Sequence, residues 1–417
     1  MKHKITQHFL ENGLELVICQ KDNVPLFSMN LIYKVGSKNE VEGKTGIAHL
    51  SEHLMFEGTA KFPKGEFDKI ITTAAGTNNA YTTYDWTSYT ISMPSVNLET
   101  ALELESDRLF NFNPSQEALD VQKSVVIEEI KQTIHNQPYG KWREKLSSIA
   151  FNPSCSYYWE IPGFIEDIEK FTLEDIMSFN LSNYNPINAK LILAGDLEIE
   201  STIKLVEKYF NHKRINHKNE TIFKSEFINK SGVTRFQDQV PLNASFLAIQ
   251  LDGFDNVTQN LVAELFCNIA GLGRSSVLVN SLVYDKQVAS QVGAFLDRRE
   301  FASLLTFYII ASKPEQTNEE IFLKLKSELN TFIESGITEY QLQKAKNFVW
   351  SEMAMELEQN YALADTIGFY STFYNSPEEI HNVKEKYESI TLKDINNFTS
   401  DKLNLNEVLR VDVEKQV

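Results

Sequence analysis

Two duplicated α+β domains, each a mostly antiparallel sheet with helices packed on one face, are what this sequence predicts. Three observations point there. The 417 residues exceed one ordinary core and suit two domains of about 200 residues each. Extended stretches rich in β-branched and aromatic residues alternate with helical ones, and this grammar runs through the chain twice. Finally, Thr172-Leu-Glu-Asp-Ile-Met-Ser-Phe179 returns as Thr391-Leu-Lys-Asp-Ile-Asn-Asn-Phe398, each copy preceding a closing strand, LILAGD or VLRVDV. T-L-x-D is a common helix start, because Thr caps and Asp favours the first turn. The shared helix-then-strand context makes duplication the better account. The predicted domains are 1–212 and 233–417, joined by a polar linker at 213–232.

The elements follow in order. HFLENGLELVICQK reads as two extended runs around an Asn-Gly turn, and VPLFSMNLIYKVGS as the next strand. A helix carrying GIAHLSEHLMFEGT comes next, then YTTYDWTSYTISMP, read as one strand. SVNLETALELESDRLFNF is helical, with leucines at 98, 102 and 109 and Ala101 between them. SQEALDVQKSVVIEEIKQTI is a helix with Ser115 as its N-cap candidate, and TLEDIMSFNLSNYN is a helix leading into the strand NAKLILAGD. In the second half ASFLAIQLDG is a strand, NVTQNLVAELFCNIAGL and SSVLVNSLVYDKQVA are helices, and QVGAFLDRREFASLLTFYIIA is a hairpin. Helices then run to a last strand in LNEVLRVDV.

Composition bounds the function. Hydrophobic residues make up 42% and charged residues 23%, the balance of a globular protein able to bury large cores. The net charge of −17, from 57 acidic and 40 basic residues, argues against a nucleic-acid partner and disfavours anionic membranes. No run of 18 apolar residues exists, so no membrane span is predicted. Cys19, Cys155 and Cys267 are far apart and odd in number, which fits a reducing compartment better than a disulfide framework. The start MKHKITQHFLENG shows no apolar h-region, so the expected location is cytoplasmic, or periplasmic if a leader precedes it.

The chemistry concentrates in His49-Leu-Ser-Glu52-His53. On a helix, residues four apart share one face, so two imidazoles one turn apart can hold one Zn²⁺. Glu52 immediately precedes His53 and lies beside the open side of such a metal. It can act as base toward a water that zinc acidifies, then as acid to a leaving amine. A single His would be read as a solvated helix residue, but H-x-x-E-H arises by chance in roughly one such chain in a hundred. A catalytic zinc needs a third protein ligand. His3, His8, His135, His212, His217 and His381 sit mostly at a terminus or in the linker, whereas the helix QKSVVIEEIKQ offers Glu128 and Glu129. One of that pair faces solvent, and pattern alone does not choose between them.

With these residues the sequence resembles the pitrilysin/insulinase family of inverted-motif zinc peptidases, closest to its short bacterial members and to the mitochondrial processing peptidase subunits. GKTGIAHLSEHLMFEGT, GTNNAYTTYDWTSY, ESDRL, VVIEEI, FIEDIEKFTLEDI and NAKLILAGD all resemble its blocks, across nearly the whole chain. The resemblance implies that His49 and His53 bind one zinc, that Glu52 is the general base, and that Glu129 is the third ligand. It implies that Asn79-Ala80-Tyr81 lies on an edge strand that pairs with substrate, and main-chain pairing of that kind suits broad peptide specificity. It further implies a clamshell of two chains enclosing a chamber, as a homodimer or a heterodimer, that admits only small or unfolded peptides.

Two departures matter. Where the family often has a Glu seven residues before the third ligand, this chain has Gln122, which can hydrogen-bond a ligand but adds no charge. Active members also carry an Arg and a Tyr, seven apart, in the second domain, and the block GLGRSSVLVNSLVYDKQVASQV places Val283 and Ser290 there, with Tyr284 one residue out of step. The expectation is therefore a zinc endopeptidase that supplies metal and base while a homologous partner supplies Arg and Tyr. The rival is a non-catalytic subunit, of which the core proteins of the respiratory cytochrome bc complex are the example, or a peptide-binding scaffold.

Overall fold

The computed structural model describes residues 3–21, 24–212 and 230–416, so residues 213–229 of the predicted linker lie outside the described residues. The opening hairpin forms as expected. Strands β1 (Lys4–Phe9) and β2 (Glu15–Gln20) pair antiparallel, Gly13 takes φ 90°, and Asn12 Oδ1 accepts the N–H of Leu14 at 3.2 Å. Strand β3 (Leu26–Tyr33) leads to helices α1 (Ile47–Leu54) and α2 (Glu66–Thr73), and then to β4 (Thr77–Thr82) and β5 (Thr87–Pro94).

YTTYDWTSYTISMP is therefore the corner of a hairpin and not one strand. The β-propensity of Thr, Tyr and Trp continues through the turn, whose work falls to the Thr83 hydroxyl. That oxygen accepts N–H groups of Asp85 and Trp86, each at 3.0 Å. The half continues through α3 (Leu98–Phe110), α4 (Gln116–Ile130), α5 (Trp142–Ala150), the single turn α6 (Ile165–Ile168), α7 (Leu173–Asn183), β6 (Ala189–Gly195) and α8 (Ile199–Phe210). Ser115 caps α4 as expected, its hydroxyl accepting the Ala118 N–H at 3.1 Å.

Strand β7 (Gly232–Asp238), not picked out in the sequence, opens the second half, followed by β8 (Ala244–Asp252) and α9 (Val257–Ala270). The expected helix at SSVLVNSLVYDKQVA contracts to a π-helical stretch, Val279–Asp285. The predicted hairpin follows as β9 (Ala289–Asp297) and β10 (Ala302–Ala311). Helices α10 (Asn318–Ser335), α11 (Glu339–Glu356), α12 (Asn360–Tyr374), α13 (Val383–Ser389) and α14 (Leu392–Lys402) precede β11 (Leu409–Lys415).

The two sheets have one topology. The first runs β1-β2-β6-β3-β5-β4 and the second β7-β11-β8-β10-β9, so removal of β1 makes the orders superpose strand for strand in chain order. Each has a single parallel pair at the matching place, β2 with β6 and β7 with β11. The recurring helix start is equally literal. Thr172 and Thr391 each accept the N–H three residues on, from Asp175 and Asp394, whose carboxylates bond back to the capping residue.

The chain nevertheless divides into compact units that do not follow the halves 1–212 and 233–417 residue for residue. Residues 131–158 belong with the second unit and 353–383 with the first. Hence α12 covers one face of the first sheet, where Leu363, Ala364 and Ile367 pack on Val17, Cys19, Ile32, Ile192 and Ala194. Alternating residues Leu16, Ile18, Leu31, Leu191 and Leu193 are buried on the opposite face. Correspondingly α5 lies on the second sheet: Trp142 stacks on Phe246 with centroids 4.4 Å apart, and the Gln250 amide donates to the Ala150 carbonyl at 3.1 Å. Cys19, Cys155 and Cys267 are buried free thiols. Among the described residues no helix is long and apolar enough to cross a membrane.

Candidate metal centre and active site

Helix α1 is short and polar for a buried element, and its start is held from outside. Glu40 accepts the N–H groups of Gly46 and Ala48, each at 2.9 Å, and the indole N–H of Trp159 at 2.8 Å. These bonds satisfy donors that the first turn of a helix leaves open. Burial pushes the Glu40 carboxyl up to about 8 against the pull of those donors. Gly46 has φ 84°, and a Cβ there would meet the Pro162 carbonyl oxygen at 2.2 Å, so only glycine fits.

From this anchored helix His49 and His53 present their rings on one face, centroids 4.7 Å apart and planes at 79°. Helix α4 brings Glu129 to the same place. Its Oε1 lies 3.8 Å from His49 Nε2 and its Oε2 lies 3.4 Å from His53 Nε2. Glu128 on the same helix is exposed, which settles the choice the pattern left open as to which carboxylate meets the histidines. Among the described residues, His49, His53 and Glu129 form one group of three possible ligands whose donor atoms lie within 4.8 Å of one another. Four-coordinate zinc with bonds of about 2.0–2.1 Å separates its ligand atoms by roughly 3.3–3.4 Å. The two Glu129 oxygens lie 3.8 Å from His49 Nε2 and 3.4 Å from His53 Nε2, so two imidazoles and one carboxylate are the donor set such an ion takes, and side-chain shifts of about an ångström would close them on it.

The two histidines are shifted in opposite directions. Burial works to lower the His53 pKa, but its contact with Glu129, together with the charges of Glu129 and Glu52, outweighs it, so His53 is raised. The pocket thus favours positive charge at that nitrogen. Burial brings His49 down to about 4, helped by His53 and resisted by Glu129. Glu129 is held low by its hydrogen bond with His53, against the cost of burial. The Nδ1 of His49 is buried without a hydrogen-bond partner, whereas His53 Nδ1 lies 3.2 Å from Gln122 Oε1.

Glu52 is 9% exposed and receives the Thr82 hydroxyl at 2.5 Å on Oε2. Burial raises its pKa, opposed by that hydroxyl and by His53. Thr82 ends β4, the strand containing Asn79, Ala80 and Tyr81, and β4 is an edge of the first sheet, bonded among the described residues only to β5. The Tyr81 side chain is engaged inside its own unit. Its hydroxyl donates to Asp365 on α12 and accepts the Trp86 indole N–H at 3.3 Å, which leaves the main chain of β4 as the available feature. Thr82, Asp365 and Glu57, which bonds Gln122 at 2.6 Å, were not visible as site residues in the sequence. Strand register and a turn bring them in, and neither leaves a spacing signature. In the second unit Val283 lies in the π-helical stretch and Ser290 in β9, and the neighbouring Tyr284 is 51% exposed.

The family profile described as insulinase (peptidase family M16) matches residues 16–155, and the profile described as the peptidase M16 inactive domain matches residues 170–349. The chain belongs to the M16 insulinase family of peptidases. It is 30% identical over 372 residues to the zinc protease PqqE of Helicobacter pylori, a match covering 87% of this chain and 82% of that one. It is 20% identical to the mitochondrial-processing peptidase subunit beta of Neurospora crassa, across 94% of this chain and 84% of the other. The crystal structure of a protease from Helicobacter pylori superposes with a TM-score of 0.92 at 26% identity, covering 99% of this chain and 100% of that one.

Proposed function

We propose that this chain is a zinc-dependent endopeptidase for small or unfolded peptides, and that it is the zinc-bearing subunit of a two-chain enzyme. The observation that carries the reading is the convergence of His49, His53 and Glu129 from two helices, with Glu52 one residue from a ligand. A zinc ion held by these three residues would polarise the scissile carbonyl and acidify a water. Glu52 would take the proton of that water and deliver it to the leaving amine. The Thr82 hydroxyl donates to Oε2, which makes Oε1, without that bond, the more basic of the two oxygens. The edge of β4 at Asn79–Tyr81 offers its main chain to an extended peptide and holds it beside Glu52 through the same Thr82, which favours chain shape over side-chain identity.

The need for a partner rests on Val283 and Ser290, which offer neither a guanidinium nor a phenol to an oxyanion. A homologous chain carrying that pair would complete the site, and the resemblance to a protein named as a subunit supports this arrangement. The test is to load the purified chain with zinc, incubate it with an unstructured peptide, and look for new termini by mass spectrometry. Slow hydrolysis that is lost in Glu52→Gln and accelerated by a homologue with the Arg/Tyr pair is the expected result. Full activity without a partner would refute the division of labour. Stoichiometric zinc without any cleavage, alone or with the partner, would leave a peptide-binding subunit as the function.

A further inference from the structure

We propose that Glu57, acting through Gln122, fixes the tautomer of His53 and so serves as a positioning residue for the metal centre. The proposal rests on the zinc-site reading above. Gln122 Oε1 lies 3.2 Å from His53 Nδ1, and Gln122 Nε2 lies 2.6 Å from Glu57 Oε1. A primary amide has nearly the same shape either way round, so contact with the ring alone does not decide which end faces His53. The far end decides it. A carboxylate only accepts, so the amide nitrogen must face Glu57; the flipped amide would set two oxygen lone pairs against each other at that distance. With the nitrogen committed, the amide oxygen faces His53 and requires a hydrogen on Nδ1. Nε2, the nitrogen that faces Glu129 at 3.4 Å, is then the one whose hydrogen a metal ion would displace, its lone pair becoming the ligand.

The surroundings suit this role. The Glu57 side chain is 7% exposed, and Lys64, itself 62% exposed, pairs with it at 2.7 Å. Glu57 follows α1 directly, its N–H bonded to the Leu54 carbonyl at 3.1 Å, so its place is set by the helix that carries His53. Gln122 and Glu129 are seven residues apart on α4, about two turns, and so face α1 together. The negative charge absent at residue 122 therefore returns one hydrogen bond further out. His49, whose Nδ1 has no partner, has no such device.

The experiment uses the full chain and two readouts. Zinc affinity is measured by competition with a chromogenic chelator. The His53 tautomer is read by ¹⁵N imidazole NMR in metal-free chains that also carry Glu129→Ala, so that no carboxylate competes at Nε2, at a pH above its titration. Glu57→Ala is expected to weaken zinc by about tenfold or more and to let His53 populate the form with hydrogen on Nε2. Adding Gln122→Glu to Glu57→Ala, which sets a carboxylate directly on Nδ1, is expected to restore both readouts. Unchanged affinity and tautomer in Glu57→Ala would overturn the proposal. So would failure of the second substitution to rescue, because that places the loss in packing. A wild-type chain that binds no zinc would refute the zinc-site reading, and the NMR comparison would still decide the relay.

Discussion

Helices α1 and α9 occupy the same place in two copies of one topology, each following the strand next to the closing strand of its sheet. Helix α9 fills that place without a histidine. It is fourteen residues long and buries Val262, Leu265, Phe266, Cys267 and Ile269, and Phe266 lies among Phe307, Phe332 and Phe398 at 6.1 to 6.3 Å. Helix α1 has eight residues, buries Glu52 and leaves His49 Nδ1 without a partner. An unsatisfied buried donor costs about 1–3 kcal/mol. The difference teaches that the histidines and buried carboxylate of α1 are not a requirement of the fold, since its duplicate folds without them, the polar groups it buries being the hydrogen-bonded amides of Gln259 and Asn260.

The sharpest break of the comparison is Glu52→Gln. Hydrolysis should fall by roughly 10²–10⁴ with bound zinc unchanged, and no substitution in α9 should do the same. Next, His53→Ala and Glu129→Ala should each lose stoichiometric zinc by plasma emission spectroscopy, while Glu128→Ala keeps it. Retention in Glu129→Ala with loss in Glu128→Ala would shift the ligand by one residue. In the second unit, Phe266→Ala should lower stability by about 3–5 kcal/mol, seen as a fall in the denaturation midpoint, with zinc content unaltered.

Smaller effects test whether the copies are energetically alike. Thr172→Ala and Thr391→Ala each remove one capping box and should each cost about 1 kcal/mol; clearly unequal losses in thermal denaturation would mean that the two boxes no longer do the same work. They already differ in one respect. Lys44 donates to Asp175 at 2.7 Å and, ahead of the Thr172 bonds, holds that carboxyl down at about 2. A depressed carboxyl stabilises the fold above its unfolded pKa, and that contribution fades as pH falls through the folded value. Asp175→Asn should therefore flatten the decline in melting temperature between about pH 4 and pH 2, modestly because its partner Lys44 is exposed to solvent.

Much of this was legible in the sequence. The H-x-x-E-H spacing placed both histidines and Glu52 on one helix, and the repeated T-L-x-D start marked the duplication that the matching sheet orders display. Glu129 could not be separated from Glu128 by pattern, because neighbouring helix residues differ only in which way the helix is turned. Thr82 and Glu57 join the site through a strand end and a turn, and neither has a periodicity. The exchange of α5 and α12 was equally hidden. A helical pattern shows that one face must be buried, but not which sheet will bury it.

That exchange reaches beyond packing. A polypeptide of half this length, folded alone, would leave one side of its sheet bare and its own helix without a seat. Two identical copies would solve both problems by trading that helix. In this chain both helices come from one polypeptide, so the trade is internal and the two matching sheets are free to carry different side chains. Separately expressed halves should accordingly be insoluble alone and recover when produced together.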